Sequence, residues 1–80
     1  MSTRTIFLAD LSEGQSGTIR GVDTKSVTAQ RLLDLGFVPG TPVKAIKTAP
    51  MGDSTIFEIR GYQLGLRRSE SEAVEVEINN

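Results

Sequence analysis

The 80-residue chain contains no cysteine, no histidine and no tryptophan. Without cysteine, neither a disulfide nor a thiolate metal site can form, so the core must hold by packing alone. Without histidine, the side chain most often used for proton transfer near neutral pH is missing, and the cysteine thiolate nucleophile is missing as well. The composition therefore predicts a protein that is not an enzyme and that carries no cofactor.

Long apolar runs and an excess of one charge are also lacking. No apolar stretch approaches the ~20 residues that cross a bilayer, and Asp10 comes too early for a secretory signal. Nine basic and ten acidic residues give a net charge of −1, and the basic residues are scattered rather than gathered in the stripe of a nucleic-acid binder. We therefore expect a cytoplasmic protein with no membrane insertion and no nucleic-acid partner.

One convincing helix is present, from about Val27 to Leu35. Its apolar residues recur at helical spacing along one face, its polar residues lie opposite, and Ser26 is placed to act as the N-cap. Leu35 lies beside the apolar stripe rather than at its centre. The buried face comprises Ala29, Leu32, Leu33 and Gly36, and the exposed face comprises Gln30, Arg31 and Asp34.

The residues after this helix predict a structural junction. Gly36 follows the helix at the position where a left-handed backbone is favourable, and Phe37 can then pack on Leu32, as in a Schellman motif. Pro39 and Gly40 occupy the two central positions of a type II turn. The junction therefore ends the helix, reverses the chain and starts a strand without any chemistry.

The rest of the chain alternates short strands with turns. Gly21 suggests a bulge, Gly61-Tyr62 suits a type II′ hairpin turn, and residues 68–73 suit a single helical turn. Together these segments predict a small, partly open antiparallel β-barrel of five to six strands with one inserted α-helix, formed by residues 1–80 as a single domain. The strands are expected at residues 5–8, 18–22, 42–47, 54–60, 63–67 and 74–78.

Four glutamates near the C-terminus are the only candidate ligands for a metal ion. Carboxylate oxygens suit hard cations such as Mg²⁺ or Mn²⁺. A solvated outer face on an edge strand explains the same residues, and charge there also discourages aggregation. We predict no metal site, with this cluster as the alternative: Glu70, Glu72, Glu75 and Glu77.

A short loop, APMGD at residues 49–53, carries an apolar side chain at its tip. Met51 lies between Pro50 and Gly52; the loop alone slightly favours a side chain that folds back on the core over one that stays available to a partner. Leu35 poses the same choice. Arg67 is either a partner anchor or half of an intramolecular ion pair with a nearby glutamate.

The segments RLLDLGFVPGTPV, APMGD and LGLRRSESEAVEVEI resemble the FeoA family of bacterial ferrous-iron uptake proteins. That family's pattern is R-L-x-x-L-G-[LMF]-x-P-G, a strand, A-P-x-G-D-P, a hydrophobic strand, and L-x-L-R with an E-A-x-x-I/V-x-V end. The likeness runs from about Leu11 to Ile78. Ser54 departs from the pattern, because the family commonly has proline there, and this departure bears on the rigidity of the loop.

The resemblance implies an SH3-like β-barrel with an inserted helix. It also implies a cytosolic accessory of the membrane ferrous-iron transporter FeoB, whose cytosolic region includes a GTP-binding domain. The same fold forms the C-terminal domain of the iron- and manganese-dependent repressors of the diphtheria-toxin-repressor type, where it serves as an interaction module. The resemblance is not taken to imply recognition of proline-rich peptides, because such recognition needs a groove lined by aromatic side chains. Three Phe and one Tyr are few for such a groove.

Two functions are compatible with these observations. The first is a non-enzymatic adaptor that docks on the cytosolic region of FeoB and modulates its assembly or GTPase cycle. The alternative is a metal-sensing or interaction module like the C-terminal domain of those repressors, acting through the glutamates. Weak self-association is left open. For the adaptor, the expected partner-binding residues are Leu35, Pro50, Met51, Gly52, Asp53 and Arg67.

Overall fold

The computed structural model describes residues 2–79. Six strands form one sheet in the order β1-β6-β2-β3-β4-β5, and every pairing is antiparallel. The predicted fold class, mainly β with one helix inserted between β2 and β3, is confirmed. In chain order the elements are β1 (Thr3–Phe7), a 3-10 turn (Leu8–Asp10), β2 (Ser16–Val22), α1 (Ala29–Leu35), β3 (Pro42–Thr48), β4 (Ser54–Ile59), β5 (Tyr62–Arg67), the single-turn α2 (Arg68–Ser71) and β6 (Val74–Asn79).

One hydrophobic cluster joins both ends of this strand order. Leu66 of β5 is buried in it, and Ile6 of β1 packs against it, so the sheet curls around a shared core. Alternate residues of each strand face inward, and each fully buried large aliphatic or Phe side chain contributes about 1.5–3 kcal/mol relative to exposure. The cluster consists of Leu8, Leu11, Ile19, Leu32, Phe37, Val43, Ala45, Phe57, Ile59, Leu66, Val74, Val76 and Ile78.

Two irregularities bend the sheet. The pairing of β2 with β6 shifts register between Ile19 and Gly21, which confirms the predicted bulge. The pairing of β3 with β4 shifts between Ala45 and Lys47, which the sequence pattern did not predict. Bulges increase local twist and bend the strand that carries them, which is what closing a six-stranded sheet around one core requires.

Helix α1 begins two residues later than predicted. Thr28 occupies the N-cap position with φ −100° and ψ 3°, and Val27 is fully exposed in the preceding turn. The Ser26 hydroxyl accepts a hydrogen bond from the Thr28 N–H at 3.3 Å. Ser26 therefore stabilises the turn before the helix, because such local side-chain bonds compete with helical geometry. The prediction that Ser26 is the N-cap of a helix starting at Val27 is wrong.

The end of α1 is the predicted Schellman motif. Gly36 has φ 112°, in the left-handed region. Its N–H donates to the Leu33 carbonyl at 3.0 Å, and the Phe37 N–H donates to the Leu32 carbonyl at 3.1 Å. These are the two bonds that define the motif. Leu32 and Phe37 are both fully buried in the same cluster, so the helix end is fixed by the core as well as by its backbone.

The following turn is also as predicted. Gly40 has φ 91° at the second central position of the turn, and the Thr41 N–H donates to the Val38 carbonyl at 3.2 Å. A type II turn requires a positive φ at that position and favours proline before it, which Pro39 provides. The Gly40 N–H also donates to the Ile19 carbonyl at 2.8 Å. The junction therefore joins α1 to β2 while it starts β3.

The β4–β5 hairpin differs from the prediction. Ile59 pairs with Tyr62, so the two turn residues are Arg60 and Gly61, with φ 52° and 85°. Two positive values indicate a type I′ turn, and the predicted type II′ turn at Gly61-Tyr62 is wrong. Both registers keep the inward side chains of the two strands together, so side-chain alternation does not distinguish them. The observed register instead lets the Tyr62 hydroxyl donate to the Leu35 carbonyl.

Candidate functional site

The loop between β3 and β4 presents Met51 to solvent. Met51 is 87% exposed, so its side chain does not fold back on the core. Two backbone hydrogen bonds close the loop: the Gly52 N–H donates to the Ala49 carbonyl at 2.8 Å, and the Ala49 N–H donates to the Ser54 carbonyl at 2.9 Å. The loop is thus closed with Ser54, not proline, at the position where β4 begins.

Asp53 and Arg67 lie at the base of this loop. The Arg68 N–H donates to the Asp53 carbonyl at 2.9 Å, and Arg67 pairs with Ser54 across the β4–β5 ladder. Pro50, Met51, Gly52, Asp53 and Arg67 therefore form one continuous surface, which we call the loop surface. That these residues bind a partner stays a prediction, but the structure does bring them together.

Leu35 does not belong to the loop surface. Its side chain is half-buried against the core, and its carbonyl accepts the Tyr62 hydroxyl at the turn end of β5. Arg67 is at the opposite end of that strand, five residue steps or about 17 Å away at the usual strand rise. The surface expected from the sequence is therefore split in two, because Leu35 of α1 lies at the turn end of β5 and the other residues lie near its opposite end.

A groove of about 290 Å³ lies next to the loop surface, on the outer face of β4 and β5. Ile56 is 40% exposed there, with Lys47 opposite it on β3 and Gly65 opposite it on β5. Sequence reasoning missed this groove. The available signals were an isoleucine at an outward position of β4 and a glycine inside β5, since a glycine within a strand often marks a close approach by another molecule.

Three of the four C-terminal glutamates form ion pairs with different arginines. Glu70 pairs with Arg31. The other two pairs are Glu72 with Arg68 at 3.1 Å and Glu77 with Arg20 at 3.2 Å. Glu75 is exposed on β6. Within residues 2–79, no three or more His, Cys, Asp or Glu side chains are grouped so that they could hold a metal ion.

Glu70 has a second structural role. Its carboxylate accepts a hydrogen bond from the Arg67 N–H at 2.9 Å, which holds the start of α2.

The side chain of Arg67 is exposed, and none of the ion pairs within residues 2–79 includes it. Arg68, not Arg67, makes the local ion pairs, one with Glu72 and one with Asp10.

Among residues 2–79, no helix combines the length and the apolarity needed to traverse a bilayer.

Comparison with protein families and curated proteins relates this chain to iron transport. The family model described as the FeoA domain matches residues 6–78. A Porphyromonas gingivalis protein, the Fe(2+) transport protein A/Fe(2+) transporter FeoB fusion protein, is 32% identical over 71 residues, which cover 89% of this chain. The chain spans only 8% of the length of that relative.

Solved structures agree with the family match. A FeoA-like protein from Clostridium acetobutylicum is 31% identical with a TM-score of 0.89, covering 100% of this chain and 92% of the other. Stenotrophomonas maltophilia FeoA, described as a procaryotic SH3 domain protein and solved with zinc, is 28% identical with a TM-score of 0.79, covering 89% and 88%. A manganese-dependent transcriptional repressor has a TM-score of 0.82 at 12% identity, covering 95% of this chain and 42% of its own, which shows a shared fold alone. The expected SH3-like fold is confirmed.

Proposed function

Because this chain belongs to the FeoA family, we propose that it is a non-enzymatic cytoplasmic accessory that docks on the cytosolic region of FeoB and modulates its assembly or GTPase cycle. The observation that carries the proposal is the Porphyromonas gingivalis relative, in which a FeoA-like segment and FeoB are parts of one polypeptide. Fusion keeps two domains at a high effective concentration. Where the two domains are not fused, an adequate docking surface has to serve instead.

The loop surface has the chemistry of such a docking surface. Methionine is unbranched and polarizable, so an exposed Met51 adapts to an apolar pocket on a partner. Arg67 and Asp53 flank it with opposite charges, which can fix the orientation of a partner even where they add little affinity. The loop surface thus offers apolar contact and orientation, which supports a role as an accessory that binds a partner.

The metal-sensing alternative has support from two neighbours, the repressor that shares the fold and the Stenotrophomonas maltophilia FeoA solved with zinc, but none from the contacts of this chain. Glu70, Glu72 and Glu77 each pair with an arginine, so a cation would have to displace those arginines before it could bind. No observation on this chain favours that exchange, and we do not propose it.

The proposal is tested by Met51→Glu, with Val27→Glu as the matched control. Both side chains are apolar and exposed, but Val27 precedes α1 and lies outside the loop surface. Burying a methionine contributes about 1.5–3 kcal/mol, so Met51→Glu should weaken binding to the FeoB cytosolic region at least ~10-fold. We expect both variants to keep the melting temperature of the wild type, because neither side chain contributes to the core.

Calorimetry with the purified cytosolic region measures the affinity, and its GTP hydrolysis rate and oligomeric state measure the consequence. We expect saturating wild-type protein to change at least one of the last two, and Met51→Glu to lose that change at equal concentration. Equal weakening by Val27→Glu would show that the loop surface is not specific. No change in either readout at saturation would refute modulation.

A further inference from the structure

Strand β5 is an edge of the sheet, with β4 on one side only. In a two-residue hairpin the residues flanking the turn form a hydrogen-bonded pair, and such pairs then alternate along the ladder. Ile59 and Tyr62 flank the turn, so Tyr62, Leu64 and Leu66 direct their backbone groups toward β4. The backbone N–H and C=O groups of Gln63, Gly65 and Arg67 therefore point away from the sheet.

Contacts at Arg67 agree with this alternation. Its N–H donates to the Glu70 carboxylate at 2.9 Å, and its carbonyl accepts the Ser71 hydroxyl at 3.3 Å. Residues of α2 thus satisfy the outward-pointing backbone N–H and carbonyl of Arg67, the last residue of β5. Within residues 2–79, Gln63 and Gly65 have no backbone hydrogen bond outside the sheet ladders. A short stretch of edge, Gln63 to Gly65, is left open to another chain.

The missing side chain of Gly65 leaves a notch beside that open edge. A Cβ at Gly65 would have no atom within 4 Å. The exposed Ile56 lies directly opposite Gly65 on β4, and both residues line the groove described above. In sheets, a large side chain from a neighbouring strand can cover a glycine and contact the residue beyond it. The notch therefore fits an apolar side chain on an incoming strand.

The charges around the notch favour an acidic neighbour for that apolar side chain. Lys47 lines the groove and Arg67 is the next outward residue of β5. Neither side chain belongs to an ion pair within residues 2–79. Of the acidic groups on this side, Glu58 is exposed on β4 opposite Gln63, so it disfavours an acidic residue at that end of the open stretch. The others are already engaged or further away: Glu70 pairs with Arg31, the Glu13 carboxylate accepts the Thr48 N–H at 2.7 Å, and Asp53 is in the loop. An acidic partner residue is therefore favoured at the Arg67 end only.

We infer that the edge of β5 receives an extended segment of a partner protein as a seventh, antiparallel strand. Its backbone pairs with Gln63 and Gly65, and a large apolar side chain opposite Gly65 fills the notch against Ile56. Two residues earlier, on the same face, an acidic side chain meets Arg67. The recognised pattern is an acidic residue, any residue, then a large apolar residue. This inference deepens the proposed function by stating the chemistry of the partner, and it rests on that function only for the partner's identity.

A synthetic peptide tests the edge independently of FeoB. The probe is a seven-residue Thr/Val peptide containing Asp-Val-Phe, compared with the same peptide containing Lys-Val-Phe. We expect the first to shift the Gln63 and Gly65 amide resonances and to slow their hydrogen exchange. The second should bind about two- to fivefold more weakly, as expected for one exposed charge pair. Absence of any shift at these amides with the Asp peptide at millimolar concentration would overturn the inference.

Two substitutions at Gly65 distinguish the contribution of its backbone N–H to binding from the contribution of the notch. Gly65→Pro removes an outward donor that the β4 ladder does not use, and proline is tolerated at such edge positions. Gly65→Val keeps the donor but fills the notch. Each should lower peptide affinity about tenfold. Gly21→Val is the control, because a Cβ at Gly21 also has no atom within 4 Å; it lies on β2 and should leave affinity unchanged. If Gly65→Pro does not fold, Gly65→Val still decides the result.

The same amides report on the cytosolic region of FeoB. Binding that slows exchange at Gln63 and Gly65 supports both proposals. Binding that leaves these amides unchanged keeps the proposed function and rejects β5 as its site, whereas no binding rejects the proposed function and leaves the peptide result to decide the edge. Slowed exchange that rises with protein concentration alone would identify a second copy of this chain as the occupant, and would overturn the inference.

Discussion

Replacing Gly36 with valine should destabilise the protein by about 1.5–3.5 kcal/mol, from two separate causes. A non-glycine residue in the left-handed region costs roughly 1–2 kcal/mol, and Gly36 has φ 112°. A Cβ there would also lie 2.6 Å from Cδ of Arg60, so the Arg60 side chain must move, at a cost of about 0.5–1.5 kcal/mol if it leaves its rotamer.

This loss is a large fraction of the expected stability. At about 0.05–0.15 kcal/mol per residue, a chain of this size unfolds with roughly 4–12 kcal/mol. The melting temperature should therefore fall by roughly 10–20 °C. Urea denaturation followed by circular dichroism measures the free energy of unfolding directly, and the slope of the transition shows whether unfolding stays two-state.

A matched variant and a double-mutant cycle separate the two causes. Gly14→Val is the control for backbone strain alone, because Gly14 has φ 84° but a Cβ there has no atom within 4 Å. The cycle pairs Gly36→Ala with Arg60→Ala, and we expect a coupling of about 0.5–1.5 kcal/mol because the alanine Cβ no longer meets Cδ. A coupling near zero would show that the Arg60 stem does not cover Gly36. Gly36→Val within ~0.5 kcal/mol of wild type would refute the account of the helix end as a whole.

Two further predictions concern ion pairs and the hairpin turn. Glu70→Ala should cost about 1–2 kcal/mol by urea denaturation, because Glu70 pairs with Arg31 and accepts the Arg67 N–H while only 15% exposed. Glu77→Ala removes a pair in which the glutamate is 42% exposed, and it should cost no more than about 0.5 kcal/mol; equal losses would contradict this ranking. Arg60→Asn should raise the melting temperature, since asparagine favours the positive φ of a type I′ turn by about 0.5–1 kcal/mol; a lower temperature would mean that the Arg60 stem contributes more than the turn strain costs.

Local chemistry made much of this fold predictable from the sequence. Gly36 and Gly40 adopt positive φ where the capping and turn rules require it, and Gly21 lies at a bulge. The inward alternation of Val74, Val76 and Ile78 is also as predicted. Each of these features depends on residues within one turn or one strand, so the sequence pattern contains the information that determines it.

Features that depend on pairing between distant segments were not predictable in the same way. The ion pair between Arg31 and Glu70 spans 39 positions, and it decides that Glu70 supports α2 rather than a cation site. The hairpin register, which side-chain alternation left open, decides that the Tyr62 hydroxyl contacts the Leu35 carbonyl at the end of β5 opposite to Arg67. The sequence contains the residues of the candidate site, but only strand register shows which of them share a surface.

Register also bears on the docking proposed for the β4–β5 hairpin. The turn end of β4 and β5 is held to α1 by the Tyr62 hydroxyl, and the loop end is held to α2 through the Asp53 carbonyl and the Arg68 N–H. The open backbone of Gln63 and Gly65 lies between these two fixed ends. A partner strand would therefore meet an edge that is already ordered, and the loss of conformational entropy on binding would fall mainly on the partner. An accessory of this kind can order a segment of a larger protein without changing its own shape, and Met51 at the loop end would add apolar contact to the same encounter.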